Sequence, residues 1–298
     1  MIRFKSFLLE STGKLRQGIP HVSDLKPDAF HNLTKSGNID GVLTHKPDGL
    51  TLEAGHDENG FYTRTSHSDK MRNKGDYEAA AKAKFGEGFN PEISRHFDRI
   101  HHELHSNSKL TNYLASGGNS IRGEIFYKPH GKPTENGEVR FVGTAYDPKK
   151  MGRTGSFIAY SQLPENAHHN MEHLKTLGDK NFNIDDDSTN KKLNVDVSDE
   201  HKAFTGLNRD VMASRKQADK EAKLNEIGKF NAIKDSVNTK LKQHLSDLKP
   251  KWGSEEEGHV IHPEKGSDAP RIKVISDTFK QNKANFKVGQ WYHLKIFC

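Results

Sequence analysis

The chain has 298 residues, of which 32% are hydrophobic and 29% charged, with a formal net charge of +6 and a mean hydropathy of −0.88. That length accommodates one large domain or two, and the excess of base favours an anionic partner. The single cysteine, Cys298, excludes an intrachain disulfide framework and points to a reducing, cytoplasmic compartment, while no run is apolar enough to span a membrane.

Met1 to Glu10 reads as a short amphipathic helix without the apolar core of a signal peptide, and residues 19–36 continue a helical N-terminal segment (1–36), with helix starts at Ser23-Asp24 and Pro27-Asp28. Residues 37–163 are expected to hold a sheet core. Within it, residues 39–66 are strand-rich and turn at Asp57-Glu58-Asn59-Gly60, where Asn-Gly is a strong hairpin signal. A helical insertion follows over 76–115, and strands return over 121–163, with turns at Gly131, Gly137 and Gly152. A second helical insertion is expected over 164–250. Inside it, 179–200 reads as a polar loop, in which Asp185-Asp186-Asp187 lacks calcium-loop spacing and reads as a solvated turn. Leu224, Ile227, Phe230, Ile233, Val237, Leu241, Leu245 and Leu248 then form one apolar helical stripe. The opposite face, with Lys220, Lys223, Lys229, Lys234, Lys240 and Lys242, is either a track for a nucleic-acid backbone or a solvated face of mixed charge. Residues 251–298 complete the chain as strands. All of this is taken as a single domain over 1–298.

Within this frame, Lys46-Pro47-Asp48-Gly49 lies between two extended runs. Tyr62-Thr63-Arg64 follows the hairpin turn and is expected to pair with the lysine's strand. Further on come Ile121-Arg122-Gly123-Glu124-Ile125, then Val139-Arg140-Phe141 running to Tyr146-Asp147, then Glu257-Gly258-His259-Val260-Ile261. Last is Arg271-Ile272-Lys273, whose two cations share one face of a strand.

In this order the motifs resemble the covalent nucleotidyltransferase superfamily of ATP-dependent DNA ligases, RNA ligases and mRNA-capping enzymes. Ile19 to Leu25 and the first ten residues look like ligase-like proteins of tailed bacteriophages. The resemblance implies an α+β fold, with ATP-grasp-like antiparallel sheets around a nucleotide cleft. It places the nucleophile at Lys46, beside Asp48 and Gly49, with Arg64 on the ribose and phosphate side. Glu124 would be the acidic strand residue, shared between nucleotide and metal, and Glu257 the metal-side carboxylate. Phe141 or Tyr146 would stack on the base, and Arg271 and Lys273 would bind phosphate. The implied cofactors are ATP and Mg²⁺, and the partner a nucleic acid with a 5′-phosphate end. If phage-encoded, the protein would work in the host cytoplasm. Two positions depart from the family's pattern: Arg271 stands where a lysine is usual, and Thr51 where an arginine is common. Only a short stretch follows Lys273, so no C-terminal OB domain is expected and RNA-ligase-like substrates fit better than nicked duplex DNA.

The chemistry asks for the same residue types. An amine attacks only when unprotonated, so Lys46 is expected to sit among cations that lower its pKa, with Arg271 and Lys273 as suppliers. Carboxylates such as Glu124 and Glu257 suit Mg²⁺. Against this stands a plainer reading: Lys46 to Gly49 as an ordinary turn, Glu124, Glu257 and Arg64 as surface strand residues, and Arg271 and Lys273 as protection of a sheet edge. The alternative function is a nucleic-acid-binding or virion-associated phage protein that keeps the fold without the chemistry. Among the 18 histidines, His101/His105 and His169/His173 have the i, i+4 spacing of metal ligands, but no His-Glu-x-x-His accompanies them, and surface histidines are the expectation.

Overall fold

A computed structural model describes residues 18–65, 68–85, 91–117, 119–127, 155–214, 220–253 and 256–280. The fold is mixed α/β, with helices and two sheets. The strands are β1 (Asn38–Pro47), β2 (Leu50–Asp57), β3 (Gly60–Arg64), β4 (Ser120–Tyr127), β5 (Gly155–Ala159), β6 (Phe182–Asp186), β7 (Ser188–Asp196), β8 (Glu256–His262) and β9 (Ile272–Ile275). The α-helices are α1 (Pro27–Thr34), α2 (Asp76–Phe85), α3 (Pro91–Ser106), α4 (Ser108–Gly117), α5 (Met171–Thr176), α6 (Ser198–Ser214) and α7 (Lys220–Leu245). No described helix is long and apolar enough to cross a membrane.

The chain divides into two compact units, neither of them contiguous in sequence. The first comprises residues 1–43, 191–248 and 260–274. Its core is built from Phe30 of α1, Phe204 of α6, Val237 and Leu241 of α7, and the strand residues Ile39, Leu43, Leu193, Val195, Ile261, Ile272 and Val274. Phe30 meets Phe204 and Phe230 edge-on at 5.2 and 5.4 Å between ring centroids, the arrangement that the quadrupoles of aromatic rings favour. The strands belong to a four-stranded sheet of order β7-β1-β8-β9.

The second unit comprises residues 44–190, 249–259 and 275–298. It carries a five-stranded sheet of order β3-β2-β4-β5-β6, antiparallel except for the parallel pair β5–β6. That pair is joined by α5, as a parallel crossover requires. One sheet face packs Leu50, Leu52, Ala54, Ile121, Ile125 and Phe157 against Phe97, Ile100 and Leu104 of α3 and Leu110 and Leu114 of α4. Every second strand residue points to that core, and the residues between them point to the other face.

Several expectations need correcting. Lys46 ends β1, which belongs to the four-stranded sheet, so the strand carrying Arg64 pairs with β2 and not with the lysine's strand. The stretch 179–200 is not a loop: it holds β6, β7 and the start of α6. Asp186 and Asp187 are buried there and do not form a solvated turn. Lys251 Nζ lies 2.9 Å from Asp185, Lys175 Nζ 3.1 Å from Asp186, and Ser161 donates to Asp187. These partners let a residue type normally depleted in strands be buried in one. On α7, Val237, Leu241 and Leu245 are buried as the stripe predicts, but Ile227 is 56% exposed. Lys234, read as part of the lysine face, is buried: its ammonium donates to Ser23 O at 2.7 Å and lies 4.5 Å from the Phe230 ring centroid. The proposed N-terminal helix over Met1–Glu10, and Phe141 and Tyr146, lie outside the described residues.

Candidate functional site

Strand β1 ends in Lys46-Pro47, and Asp48-Gly49 carries the chain into β2. Across β2, the register sets Glu124 of β4 opposite Thr51. Lys46 Nζ donates to Glu124 Oε1 at 2.8 Å and to Pro47 O at 2.6 Å, and lies 3.5 Å from Glu257 Oε2. The side chains of Lys46, Glu124 and Glu257 are 18%, 5% and 14% exposed. Gly49 donates its N–H to Glu124 Oε2 at 2.7 Å. A Cβ at Gly49 would stand 2.7 Å from Ile125 O, so only glycine allows this close approach of backbone to β4.

Burial by itself would lower the pKa of Lys46, but the charges of Glu124 and Glu257, the hydrogen bond to Glu124 and the charge of Asp48 outweigh it and hold the ammonium above the usual lysine value. The expectation of a cationic neighbourhood is therefore corrected: the described groups acting on Lys46 are acids. Tyr160 donates its hydroxyl to Glu124 Oε1. Burial first, then the charge of Glu124, keeps this phenol neutral far above its ordinary range. Next in the chain, Ser161 donates both its N–H and its hydroxyl to Asp187 Oδ1. Burial, only partly offset by those bonds, pushes the Asp187 carboxyl up to about 6.

Two residues along the same face of β2, Glu53 stands opposite both Arg64 and Arg122 in register. Its Oε2 accepts from Arg64 Nη2 at 2.8 Å and from Arg122 Nη2 at 3.1 Å, and its Oε1 from the Tyr62 hydroxyl at 3.0 Å. One polar face of the sheet thus carries a lysine–carboxylate cluster and, beside it, a guanidinium pair held on a buried carboxylate.

Of the residues singled out from sequence, the structure brings together Lys46, Asp48, Gly49, Glu124 and Glu257, and sets Arg64 on the same sheet as Glu124. Arg271 and Lys273 belong to the first unit. Arg271 is exposed just before β9, and Lys273 is half-buried in β9, its N–H bonded to Pro20 O at 3.0 Å. Sequence reading gave no role to Glu53, Arg122 or Tyr160, and took Asp187 for part of a solvated turn. Arg122 and Glu53 were within reach, because the Asp57–Gly60 turn fixes Glu53 opposite Arg64, and Arg122 shares its strand face with Glu124. Tyr160 had no local signal.

The histidine pairs are accounted for structurally. His101 Nδ1 bonds with Thr63 Oγ1 at 2.9 Å and Nε2 with Arg72 O at 3.0 Å. His169 Nδ1 bonds with Tyr113 OH at 2.7 Å and Nε2 with Ser120 O at 2.9 Å. With both ring nitrogens of each engaged, these are buried structural histidines and not surface ones; His105 and His173 remain exposed.

No known family model and no curated protein sequence matches this chain.

Proposed function

We propose that the second unit is a nucleotidyltransferase site of the polynucleotide-ligase type, which uses ATP to form a lysyl-AMP on Lys46. The supporting observation is the meeting of Lys46 with Glu124 and Glu257, three residues far apart in the chain, at 2.8 and 3.5 Å. In this reading the Lys46 amine attacks the α-phosphate of ATP, a phosphoramidate bond forms, and pyrophosphate leaves. The AMP then passes to a nucleic-acid 5′-phosphate. A 3′-hydroxyl attacks the activated phosphate, forms the phosphodiester and releases AMP. Because the guanidiniums of Arg64 and Arg122 flank the carboxylate cluster, they suit the anionic part of the substrate.

The cluster has one ammonium against Glu124, Glu257 and Asp48, a charge balance that fits a divalent cation. Glu257 and Glu124 would hold it, Glu124 through an oxygen pair that also accepts from Lys46, Gly49 and Tyr160. When bound, Mg²⁺ would neutralise phosphate charge and draw the carboxylates' influence away from the lysine. Lys46 must lose its proton before attack, and Glu124 and Glu257 are the carboxylates nearest its ammonium, at 2.8 and 3.5 Å.

One observation favours a second reading, a nucleic-acid-binding protein without the chemistry: the resting site raises the pKa of Lys46, where a free nucleophile needs it lowered. Incubation with ATP and Mg²⁺, read by intact mass, decides between them. The ligase-type reading expects one AMP per wild-type chain and none on Lys46→Ala. Absence of an adduct on wild type with Mg²⁺ or Mn²⁺, and with ATP or GTP, overturns the ligase-type reading and favours the second.

A further inference from the structure

Directly before Lys46 and Glu257 in the chain stand His45 and Glu256, and they meet each other. His45 Nδ1 lies 2.7 Å from Glu256 Oε1, and His259 Nε2 lies 3.6 Å from that same oxygen. All three atoms fall within 4.8 Å of one another. The side chains are 12%, 2% and 8% exposed, so the cluster is nearly dry. Successive strand residues point to opposite faces, so His45 and Glu256 point away from the Lys46–Glu257 side of their strands. Strict alternation would also put Glu256 and His259 on opposite faces. They share one because Gly258, with φ of 152°, interrupts the regular strand between them.

We propose that His45, Glu256 and His259 form a binding site for zinc or a similar divalent transition metal. The donor set is two imidazole nitrogens and one carboxylate oxygen, borderline-soft with hard, which is the set zinc takes with a fourth position left for water. Ligand atoms around one tetrahedral zinc lie about 3.3 Å apart. The His259–Glu256 separation already matches, and the His45–Glu256 pair needs to open by roughly half an ångström. The imidazole rings stand side by side at 5.2 Å between centroids, tilted by 40°. The surroundings fit a metal as well. Lys251 N–H donates to Glu256 Oε2 at 2.6 Å, which fixes the carboxylate's direction and leaves Oε1 for the ion. Trp252 packs edge-on against His45 at 5.5 Å and belongs to an apolar cluster with Phe126 and Ile158, which walls the site from water. A hydrogen bond from His45 to Glu256 accounts for that pair alone. His259 Nε2, at 3.6 Å, stands beyond hydrogen-bond reach of the shared oxygen but at a separation that suits two ligands of one ion. The ion would clip the ends of β1 and β8 from the side opposite Lys46. The site stands independently of the nucleotidyltransferase reading.

The test uses the full chain stripped of metal by a chelator, titrated with Zn²⁺ against a chromophoric competitor, and separately with Co²⁺ read by its visible d–d absorption. Wild type should take up one tight equivalent and give the intense bands of a four-coordinate cobalt site. His259→Ala, and the near-isosteric Glu256→Gln that keeps the fold, should weaken that equivalent by at least about a hundred-fold and abolish the bands. The double variant His102→Ala/His168→Ala, at two exposed histidines, and Lys46→Ala should both retain it. No tight equivalent on wild type overturns the proposal, as does one that survives His259→Ala or is lost in the exposed-histidine control. Because no nucleotide is present, failure here is distinct from failure to form an AMP adduct.

Discussion

Lys46 keeps its proton in the resting protein because Glu124, Glu257 and Asp48 together outweigh the cost of burying the ammonium. The neutral amine is the reactive form, and its fraction grows with pH, so a pKa held above the usual lysine value makes Lys46 slow to react at neutral pH. An amine-directed acylating reagent should therefore label Lys46 less than exposed lysines at pH 8, and its labelling should rise through pH 10. Replacing Glu257 by Gln removes one of the charges that hold the proton and should speed labelling at pH 8 several-fold. Peptide mass mapping reads the result; labelling of Lys46 unchanged in Glu257→Gln would show that this carboxylate does not hold the proton. Arginine at position 46 retains the charge and the partners but cannot attack. Lys46→Arg should thus stay folded while forming no AMP adduct, which separates the chemical role of the amine from its structural one.

At the scale of the element, α2 depends on a residue from α3 for its start. The N–H groups of Gly75, Tyr77 and Glu78 all donate to the carboxylate of Asp98, at 3.0 to 3.2 Å. The first turn of a helix leaves such donors without intrahelical acceptors, and Asp98 supplies them from the neighbouring helix. Asp98→Ala should cost about 1–2 kcal/mol, read by urea unfolding, and hydrogen exchange should rise at Tyr77 and Glu78. If those amides stay as protected as in wild type, Asp98 does not cap α2. The strand β6 illustrates the opposite relation between residue and element. Its two aspartates argue against a strand on propensity, and it forms because Phe182 and Ile184 join the core while Lys175 and Lys251 meet the acids.

Across the whole molecule, a buried and a half-buried histidine tie stability to pH. Burial, with a further push from the charge of Arg99, lowers His96 to about 4, and burial with the charge of Arg271 lowers His262 to about 4. In the unfolded chain each titrates near 6.5. Between those values the unfolded state binds more protons than the folded one, so stability is full above about pH 6.5 and falls as pH drops toward 4. His96 can account for at most roughly 3 kcal/mol of that loss. Asp187 runs the other way: its raised carboxyl is favoured protonated, so its contribution declines as pH rises from about 4 to about 6. Thermal unfolding at pH 7 and pH 4.5 should show a smaller drop for His96→Gln than for wild type. Equal drops would place the acid sensitivity elsewhere.

Much of this architecture is legible in local pattern. The Asn59-Gly60 turn fixes the β2–β3 register, and with it Glu53 opposite Arg64; alternation along 121–126 puts Glu124 on the face away from the core; spacing by three and four marks the buried side of α7. These signals are local because turn chemistry and side-chain period are properties of neighbouring residues. What lay beyond them is long-range. That the stretch 179–200 forms strands, that Lys234 is buried while Ile227 is exposed, and that acids surround Lys46 all depend on which distant groups meet, and no short window carries that information. Local pattern was enough for a fold that mixes helices with sheets and for singling out Lys46, Glu124 and Glu257. That these meet within a few ångströms, that Tyr160 joins them, and that His45, Glu256 and His259 converge follows from the fold alone, because a contact between distant strands is set by sheet order and burial and not by the residues adjacent in the chain.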